Sequence, residues 1–176
     1  MNNLPKFCQA CATPLEWIEM MEDGGPKARL RCPACGHTHW NNPTPVLAAI
    51  VEYNGQVLLA RNAAWPPKMF ALITGFMEAG ESPQEGIARE VKEETNLDVS
   101  AVSLIGVYDF QRLNQVIIAF HVQAHGQVQL SPELVEYRLF APGEVICWPG
   151  GTGLALAQWL RERGYEIAWR DWGGRA

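Results

Sequence analysis

Two pairs of cysteines constrain the N-terminal part of the chain more tightly than any other sequence feature. Cys8 and Cys11 form one C-x2-C turn, Cys32 and Cys35 form another, and 20 residues separate the two turns. Each turn presents two thiolates to one ion, and two turns together complete the tetrahedral sulfur site that Zn²⁺ prefers. The alternative, two disulfides, needs an oxidising compartment that nothing in the sequence supports. The spacing therefore predicts a structural zinc ribbon over residues 1–41.

The composition narrows the class of protein. The chain has 176 residues, 48% of them hydrophobic, and a formal net charge of −5. This length suits one ordinary domain with a small appendage, and the apolar content is sufficient for a packed core. There is no surplus of Lys and Arg for a broadly basic DNA-binding protein. We find no secretory signal and no apolar run near the roughly 20 residues of a membrane helix, so we expect a cytoplasmic protein without a membrane partner.

The charge of the ribbon sequence between the cysteine pairs indicates what kind of partner the ribbon binds. Residues 15–23 are apolar and acidic rather than basic, and only Lys27, Arg29 and Arg31 follow them. Phosphate affinity needs cations, so nucleic-acid binding by the ribbon is the weaker interpretation. Packing on the rest of the chain or on a second subunit, as in a homodimer, is the stronger one. His37 and His39 follow the second turn, and a packing or surface role is expected for both rather than zinc ligation.

Strand and helix patterns follow the ribbon. An Asn-Gly turn at Asn54 and Gly55 predicts a hairpin between two apolar runs, and Thr152 is expected to cap a last helix over Gly153–Arg163. A Gly-rich loop is expected over Gly75–Glu81. The predicted strands are Val46–Glu52, Gln56–Arg61, Phe70–Thr74, Val99–Asp109, Val116–Ala124 and Tyr137–Phe140.

The middle helix has unusually clear boundaries. Ser82 is a good N-cap, Pro83 suits the first helical position, and Glu85 completes a capping box. Ile87 and later apolar residues recur at steps of three and four and predict a core face. Asn96 falls where the chain leaves the helix in a left-handed conformation, for which Asn is the usual second choice after Gly.

The same helix carries an acidic face. Glu90, Glu93 and Glu94 stand at positions i, i+3 and i+4, so their side chains project within about one turn of each other. Three carboxylates this close repel one another unless a cation neutralises them, and hard oxygen ligands suit Mg²⁺ or Mn²⁺. The alternative is an ordinary solvated face, since acidic helix faces are common without any ligand.

The residues around the acidic face favour a cation site. Arg89 can pair with Glu81 across the junction of loop and helix, which would orient both elements. Gly75 and Gly80 let the loop backbone approach the acidic face, so that a loop carbonyl becomes a further candidate ligand.

Residues 75–97, GFMEAGESPQEGIAREVKEETNL, resemble the Nudix box. This pattern is Gly, five residues, Glu, seven residues, Arg-Glu, an apolar residue, any residue, Glu-Glu, any residue, Gly and an apolar residue. Every position matches except Asn96, where the family has Gly, and the capping argument makes Asn acceptable there. The resemblance implies an α/β fold, namely an α/β/α sandwich with a mixed sheet, in a Nudix hydrolase domain over residues 44–168.

The resemblance also implies a set of residue roles. Glu90 and Glu94 would be the principal ligands of the catalytic Mg²⁺ or Mn²⁺, and Glu93 a third ligand or the acid that orients the attacking water. Glu81 and Arg89 would position loop and helix. The carbonyl of Gly75 and a further acid from a downstream loop would complete the set of metal ligands. Glu133 is the leading candidate for that acid and Glu136 the second. The general base differs between family members and is not assigned.

The ribbon narrows the resemblance to the zinc-ribbon NADH pyrophosphatases and to related proteins linked to FAD or ADP-ribose. Phe76 follows the first Gly of the box, as in the NADH pyrophosphatases, where it would stack on a base; a core role is equally compatible with its position. A proline-rich segment that NADH pyrophosphatases carry after the box is replaced here by residues 107–115, VYDFQRLNQ. In this segment Tyr108, Phe110 and Arg112 are the candidate substrate-binding residues.

The expected function is metal-dependent hydrolysis of the pyrophosphate bond in a nucleoside diphosphate linked to another moiety. The expected substrate is an ADP-containing dinucleotide such as NADH, NAD⁺ or FAD, or ADP-ribose, with release of AMP. Two alternatives remain: a non-catalytic sensor of an ADP-ribose-like ligand, and a hydrolase that removes the cap of an RNA 5′ end. The intact acidic face argues against the sensor, because a pure binding protein would not need three helix glutamates.

Overall fold

The first strands form a small antiparallel sheet beside the cysteine turns. In the computed structural model, which describes residues 4–170, β1 (Glu16–Glu22) pairs with β2 (Gly25–Arg31), and β2 pairs with β3 (Thr38–His39). The turn between β1 and β2 contains Gly24 with a φ of +84°, a conformation that favours glycine. The chain divides into two compact units between Pro43 and Thr44, and this small sheet belongs to the first of them.

The second unit is organised by a mixed sheet with the order β7-β8-β4-β5-β9, and β6 also pairs with β4. β4 and β8 are parallel, whereas the other pairings of this sheet are antiparallel. A short parallel pair, β10 with β11, lies outside it. The strands are β4 (Thr44–Tyr53), β5 (Gln56–Asn62), β6 (Ile73–Phe76), β7 (Asp98–Phe110), β8 (Gln115–His125), β9 (Leu134–Phe140), β10 (Ile146–Cys147) and β11 (Ala168–Trp169).

Two helices pack on opposite faces of this sheet. On one face, Ile87 and Val91 of α1 (Pro83–Thr95) pack against β-strand residues such as Leu47 and Phe120. On the other, α2 (Thr152–Glu162) buries Leu156, Trp159 and Leu160 among residues of β4, β5 and β10. Two single-turn 3₁₀ helices, 111–113 and 142–144, complete the helical segments. The predicted α/β/α sandwich with a mixed sheet is therefore confirmed.

Several predicted boundaries were wrong. The strand expected over Phe70–Thr74 lies instead at Ile73–Phe76, because that stretch is the one whose backbone pairs with β4. The expected loop accordingly begins after Phe76 rather than at Gly75. Thr152 does not cap the last helix: Gly151 is the N-cap, no side chain caps it, and Thr152 is already helical. The last predicted strand begins earlier, at Leu134, because its whole length pairs with β5.

No helix among residues 4–170 is long and apolar enough to span a membrane.

Candidate metal and active site

Four cysteine sulfurs converge at the two turns of the ribbon. The Sγ atoms of Cys11 and Cys32 are 3.5 Å apart, those of Cys8 and Cys35 are 3.6 Å apart, and all four thiols are free. A disulfide would bring two sulfurs to about 2.05 Å. Sulfurs around a tetrahedral zinc with bonds of about 2.3 Å lie about 3.8 Å apart. The observed spacing thus fits a shared zinc ion and does not fit disulfides.

Helix α1 begins and ends as its sequence predicts. The backbone N–H of Glu85 donates to Ser82 Oγ, and the backbone N–H of Ser82 donates to Glu85 Oε2 at 2.8 Å, which completes the capping box. At the other end Asn96 is left-handed with a φ of +61°, and its N–H donates to the carbonyl of Lys92. Both ends are fixed by local bonds, so the helix holds its glutamates in a defined direction.

Arg89 forms ion pairs with acids of both the loop and the helix. Its guanidinium donates to both carboxylate oxygens of Glu81 at 3.0 Å, to Glu90 Oε1 at 2.7 Å and to Glu93 Oε2 at 3.0 Å. It also donates to the backbone carbonyl of Phe76 at 3.2 Å. The bidentate pair with Arg89 lowers the pKa of Glu81. The expected contact between Arg89 and Glu81 is present, and it ties the strand β6, the loop and the helix together.

Gly75 faces the carboxylate of Glu90 without any intervening side chain. A Cβ added to Gly75 would lie only 1.8 Å from the carboxyl carbon of Glu90. The side chain of Glu90 is mostly buried, with 12% of its surface exposed, so its place over the β6 backbone is confined. The absence of a side chain at Gly75 is therefore what brings the strand backbone and this carboxylate together.

Glu94 lies in the most unfavourable electrostatic position of the acidic face. Burial, together with the charges of Glu90, Glu133 and Glu93, raises the pKa of Glu94 to about 7. Glu94 and Glu133 line one cavity of about 90 Å³. Glu90, Glu93 and Glu133 thus lie near enough to Glu94 to disfavour its ionisation, although Arg89 already pairs with Glu90 and Glu93. All of these donors are oxygens, as Mg²⁺ and Mn²⁺ prefer.

The loop that carries Glu133 is attached to the end of α1. The backbone N–H of Ser131 donates to the carbonyl of Glu94 at 3.0 Å, and that of Gln129 donates to the carbonyl of Thr95 at 2.9 Å. These bonds hold Glu133 near Glu94, although 38 residues separate them.

The second candidate for the downstream acid, Glu136, is engaged elsewhere. Its carboxylate pairs with Arg61 at 3.4 Å and with Arg138 at 2.8 Å. These arginines lower its pKa, with Arg138 the larger influence. Glu133 is therefore the better placed of the two acids.

Comparison with known proteins assigns both units to one family. Residues 42–162 match the family described as the NUDIX domain, which is more than half of the chain. The chain belongs to the Nudix hydrolase family. Residues 6–41 match the family described as Nudix N-terminal, a zinc ribbon. The resemblance drawn from the box and from the cysteine turns is thus confirmed.

This Nudix chain has relatives that are named for their activity. It is 30% identical over 132 residues to the NAD-capped RNA hydrolase NudC of Stutzerimonas stutzeri (strain A1501), covering 74% of this chain and 46% of that protein. It is 32% identical over 147 residues to the protein of the same name from Mycobacterium tuberculosis (strain ATCC 25177 / H37Ra), covering 78% and 45%. The chain therefore spans a little under half the length of these curated relatives.

A solved structure matches nearly the full chain. The crystal structure of a NUDIX hydrolase from Nitrosomonas europaea has a TM-score of 0.76 and 28% sequence identity. The match covers 95% of this chain and 99% of that one. The described fold is thus that of a known Nudix hydrolase.

Two of the predicted substrate-binding residues, Phe76 and Tyr108, lie on the face of the sheet that packs against α2. Phe76, Val46, Ile117 and Tyr108 form one row across β6, β4, β8 and β7. Val46, Ile117 and Tyr108 pack in the apolar cluster that also contains Ala155 of α2. Directly paired strand residues point to the same face, so Phe76 shares that face, whereas its neighbour Gly75 faces α1. Phe76 is 58% exposed and has a free surface for a ligand.

The rest of the candidate substrate segment is partly engaged by the protein itself. The Tyr108 hydroxyl donates to Gln158 Oε1 of α2 at 2.6 Å, and Phe110 packs in the same cluster as Tyr108. The Arg112 guanidinium lies 5.5 Å from the centre of the Phe110 ring. None of these three residues contacts the glutamates among the interactions of residues 4–170. Their role in substrate binding stays a prediction.

The structure adds residues that the sequence pattern did not single out. Asn62, Trp65 and Thr74 line the cavity that contains Glu94 and Glu133. The sequence does not single out Trp65, because nothing local relates residues 62–68 to a helix that begins 15 residues later. The sequence feature that could have indicated a role for Trp65 is that it is a large aromatic residue in a short loop before the Nudix box.

Proposed function

We propose that this chain hydrolyses the pyrophosphate bond of a nucleoside diphosphate linked to another moiety, with release of AMP. The observation that carries the proposal is the buried Glu94, which shares a cavity with Glu133 and is influenced by the charges of Glu90 and Glu93, with Glu90 seated over the backbone of Gly75. The intact set of acids favours catalysis over the sensor alternative, because ligand binding alone does not require so many converging carboxylates.

The donor set fits a hard divalent cation. When bound, Mg²⁺ or Mn²⁺ would neutralise charge in the transition state and lower the pKa of the attacking water. Glu90 and Glu94 would hold the cation with the carbonyl of Gly75, and Glu133 would add a ligand from its loop. Glu93, whose side chain is 60% exposed, is free to act as a ligand or to orient water once it leaves Arg89.

Arg89 and Glu81 would act as positioning residues. The guanidinium holds the loop through Glu81 and holds β6 through the Phe76 carbonyl. Because the same guanidinium contacts Glu90, any movement of Arg89 changes the placement of a proposed metal ligand. A water molecule attacks one phosphorus, the bond between that phosphorus and the bridging oxygen breaks, and the other phosphate leaves.

The proposed substrate is an ADP-containing dinucleotide or ADP-ribose. Phe76 offers an exposed ring for a base, and the partly buried Tyr108 and Phe110 lie on the same face of the sheet. Stacking of a base on such a ring contributes about 1–3 kcal/mol. The segment 107–115 lacks the prolines typical of NADH pyrophosphatases, so nothing in it favours nicotinamide over other groups.

We expect that NADH is not strongly preferred over FAD or ADP-ribose. The measurement is AMP release by the purified chain with Mg²⁺ or Mn²⁺ across NADH, NAD⁺, FAD, ADP-ribose and diadenosine polyphosphates. A kcat/KM for NADH within about 100-fold of the values for FAD and ADP-ribose is the expected result. A kcat/KM for NADH more than about 100-fold above the values for FAD and ADP-ribose would contradict this expectation. A factor of that size would mean that the site selectively binds the nicotinamide moiety in the transition state.

A second candidate function is removal of a nucleotide cap from an RNA 5′ end. It is favoured by the names of the curated relatives, which are NAD-capped RNA hydrolases. The bond broken would be the same, so the two functions differ only in what extends from the AMP half. Adding a short NAD-capped RNA to the substrate panel separates them, since a dedicated decapping enzyme would hydrolyse it far faster than free NAD⁺.

The ribbon is proposed to hold a structural Zn²⁺ through Cys8, Cys11, Cys32 and Cys35. Their sulfur atoms lie within 4.8 Å of one another, and Cys8 and Cys32 are buried. The four free thiols fit a reducing compartment such as the cytoplasm.

We expect one tightly held zinc per chain in protein purified without added metal. Folding and zinc binding are coupled in sites of this kind, so the ion should survive dialysis against a weak chelator. Elemental analysis and native mass spectrometry measure the stoichiometry. Protein without zinc, or with the four cysteines in disulfides, would refute the assignment.

A further inference from the structure

Trp65 stands beside the carboxylate cavity without belonging to the core. Its half-buried side chain lines the cavity of about 90 Å³ together with Asn62, Thr74, Glu94 and Glu133. It is a member of none of the apolar clusters formed by the described residues. A tryptophan that only stabilised the fold would be expected within one of those clusters, since large aromatic side chains gain most from full burial.

The loop that carries Trp65 is fixed by hydrogen bonds to its surroundings. The side-chain oxygen of Asn62 accepts from the backbone N–H of Ala64 at 2.9 Å, and the N–H of Trp65 donates to the carbonyl of Asn62 at 3.0 Å. The N–H of Ala63 donates to the carbonyl of Glu133 at 2.9 Å. The backbone at Trp65 is therefore fixed relative to the segment that carries Glu133, a proposed metal ligand.

The two candidate aromatic contacts are Phe76, at the end of β6, and Trp65, at the carboxylate cavity. Thr74, on the same face of β6 as Phe76, lines that cavity together with Trp65. The proposed function places the adenine base at Phe76 and the pyrophosphate at the carboxylates. The group attached beyond the second phosphate is then assigned to Trp65.

We propose that Trp65 is a specificity-determining residue that contacts the moiety beyond the pyrophosphate and favours a planar ring there. This inference rests on the proposed function. An indole face stacks on a heteroaromatic ring such as nicotinamide or flavin, and it has less to gain from a bare ribose. Trp65 would thereby favour NAD⁺ and FAD over ADP-ribose, without distinguishing the redox state of nicotinamide.

NAD⁺ and ADP-ribose provide the decisive pair of substrates, because ADP-ribose carries a hydroxyl group where NAD⁺ carries the nicotinamide ring. We expect Trp65→Ala to raise KM for NAD⁺ about tenfold, from the loss of one stacking contact. KM for ADP-ribose should change less than about threefold, and kcat for ADP-ribose should be retained. Trp65→Phe should restore most of the affinity for NAD⁺. The control is Trp17→Ala, an exposed tryptophan of the ribbon that should leave both KM values unchanged.

The outcomes separate this inference from the proposed function. Equal losses on both substrates with a lower melting temperature would make Trp65 a structural residue and overturn the inference. Unchanged kinetics in Trp65→Ala would overturn it as well. If the parent releases no AMP from any substrate, the proposed function fails. Calorimetric binding of NAD⁺ and ADP-ribose to the same variants then decides the inference: a selective loss of NAD⁺ affinity supports it, and equal affinities or no binding refute it.

Discussion

Glu94→Gln is expected to reduce kcat by about 100-fold or more while the protein keeps its fold. A carboxylate that holds a catalytic cation stabilises charge that develops in the transition state, and one such electrostatic contact contributes about this factor. Gln has nearly the same shape, so the cavity around residue 94 is preserved. KM should change much less than kcat, because the lost interaction is strongest in the transition state. Steady-state kinetics with saturating Mg²⁺ or Mn²⁺ measure both quantities.

Glu85→Gln is the matched control for this change. Glu85 lies on the same helix, and its contacts belong to the capping box with Ser82. Gln also serves at this position of a capping box, so helix stability should be almost unchanged. Activity should stay within about threefold of the parent, on the scale of a surface substitution. Small and equal effects of the two substitutions would show that the acidic face is only solvated, and the sensor function would then be favoured.

Glu94→Gln is also expected to change the thermal stability of the metal-free protein. The folded protein raises the pKa of Glu94 from 4.5 to about 7, so between these pH values the folded state binds more protons than the unfolded state. The free energy of unfolding therefore falls as pH rises across this interval, by linkage. Gln cannot ionise and removes this loss. Thermal unfolding in a chelator should show Glu94→Gln above the parent at pH 8, with the gap closing toward pH 4.5.

Gly75→Ala is expected to lower kcat/KM by about 100-fold and to weaken binding of the divalent cation. The added methyl group would overlap the carboxylate of Glu90, whose carbon lies 1.8 Å from the new Cβ. The end of a flexible side chain can move, so we expect the fold to survive and the carboxylate to be displaced. A displacement of about 1 Å in a catalytic constellation costs roughly this factor. Mn²⁺ titration followed by magnetic resonance, alongside kinetics, measures the two effects.

Gly143→Ala provides the control for the same chemical change. A Cβ at Gly143 would meet the ring of Tyr165 at 3.4 Å, which is close to ordinary contact, and no carboxylate lies among its nearest neighbours. Gly143→Ala should have the same cation affinity and the same kcat/KM as the parent protein. Normal Mn²⁺ affinity in Gly75→Ala would mean that the position of Glu90 does not govern metal binding.

The amino-acid sequence was sufficient wherever the structure depends on local interactions. The ends of α1 follow from Ser82, Glu85 and Asn96 alone, because capping bonds join residues within one turn. The spacing of Glu90, Glu93 and Glu94 on one helix fixes their common direction through the helical period. The cysteine turns are equally local, and the ribbon sulfurs meet as their spacing implies.

Boundaries that depend on strand pairing were less predictable. Phe70–Thr74 and Ile73–Phe76 are both apolar enough to form a strand, and only the contact with β4 selects the second. The start of the last helix was misjudged for a similar reason. Thr152 has the chemistry of an N-cap, but the left-handed Gly151 begins the helix one residue earlier.

The sequence by itself determined the family, the sandwich architecture, the zinc-ribbon cysteines and the helix glutamates, because each is recorded in short-range spacing. Only the tertiary structure decided which acid joins Glu94 and which aromatic residue borders it. Glu133 and Trp65 reach the cavity through backbone bonds from loops distant in sequence, and no local pattern records those bonds. Glu136, almost adjacent to Glu133, is instead held by two arginines. The pairing of strands distant in sequence determines the different contacts of Glu133 and Glu136, because a shift of a few residues along a strand changes the neighbours of a side chain.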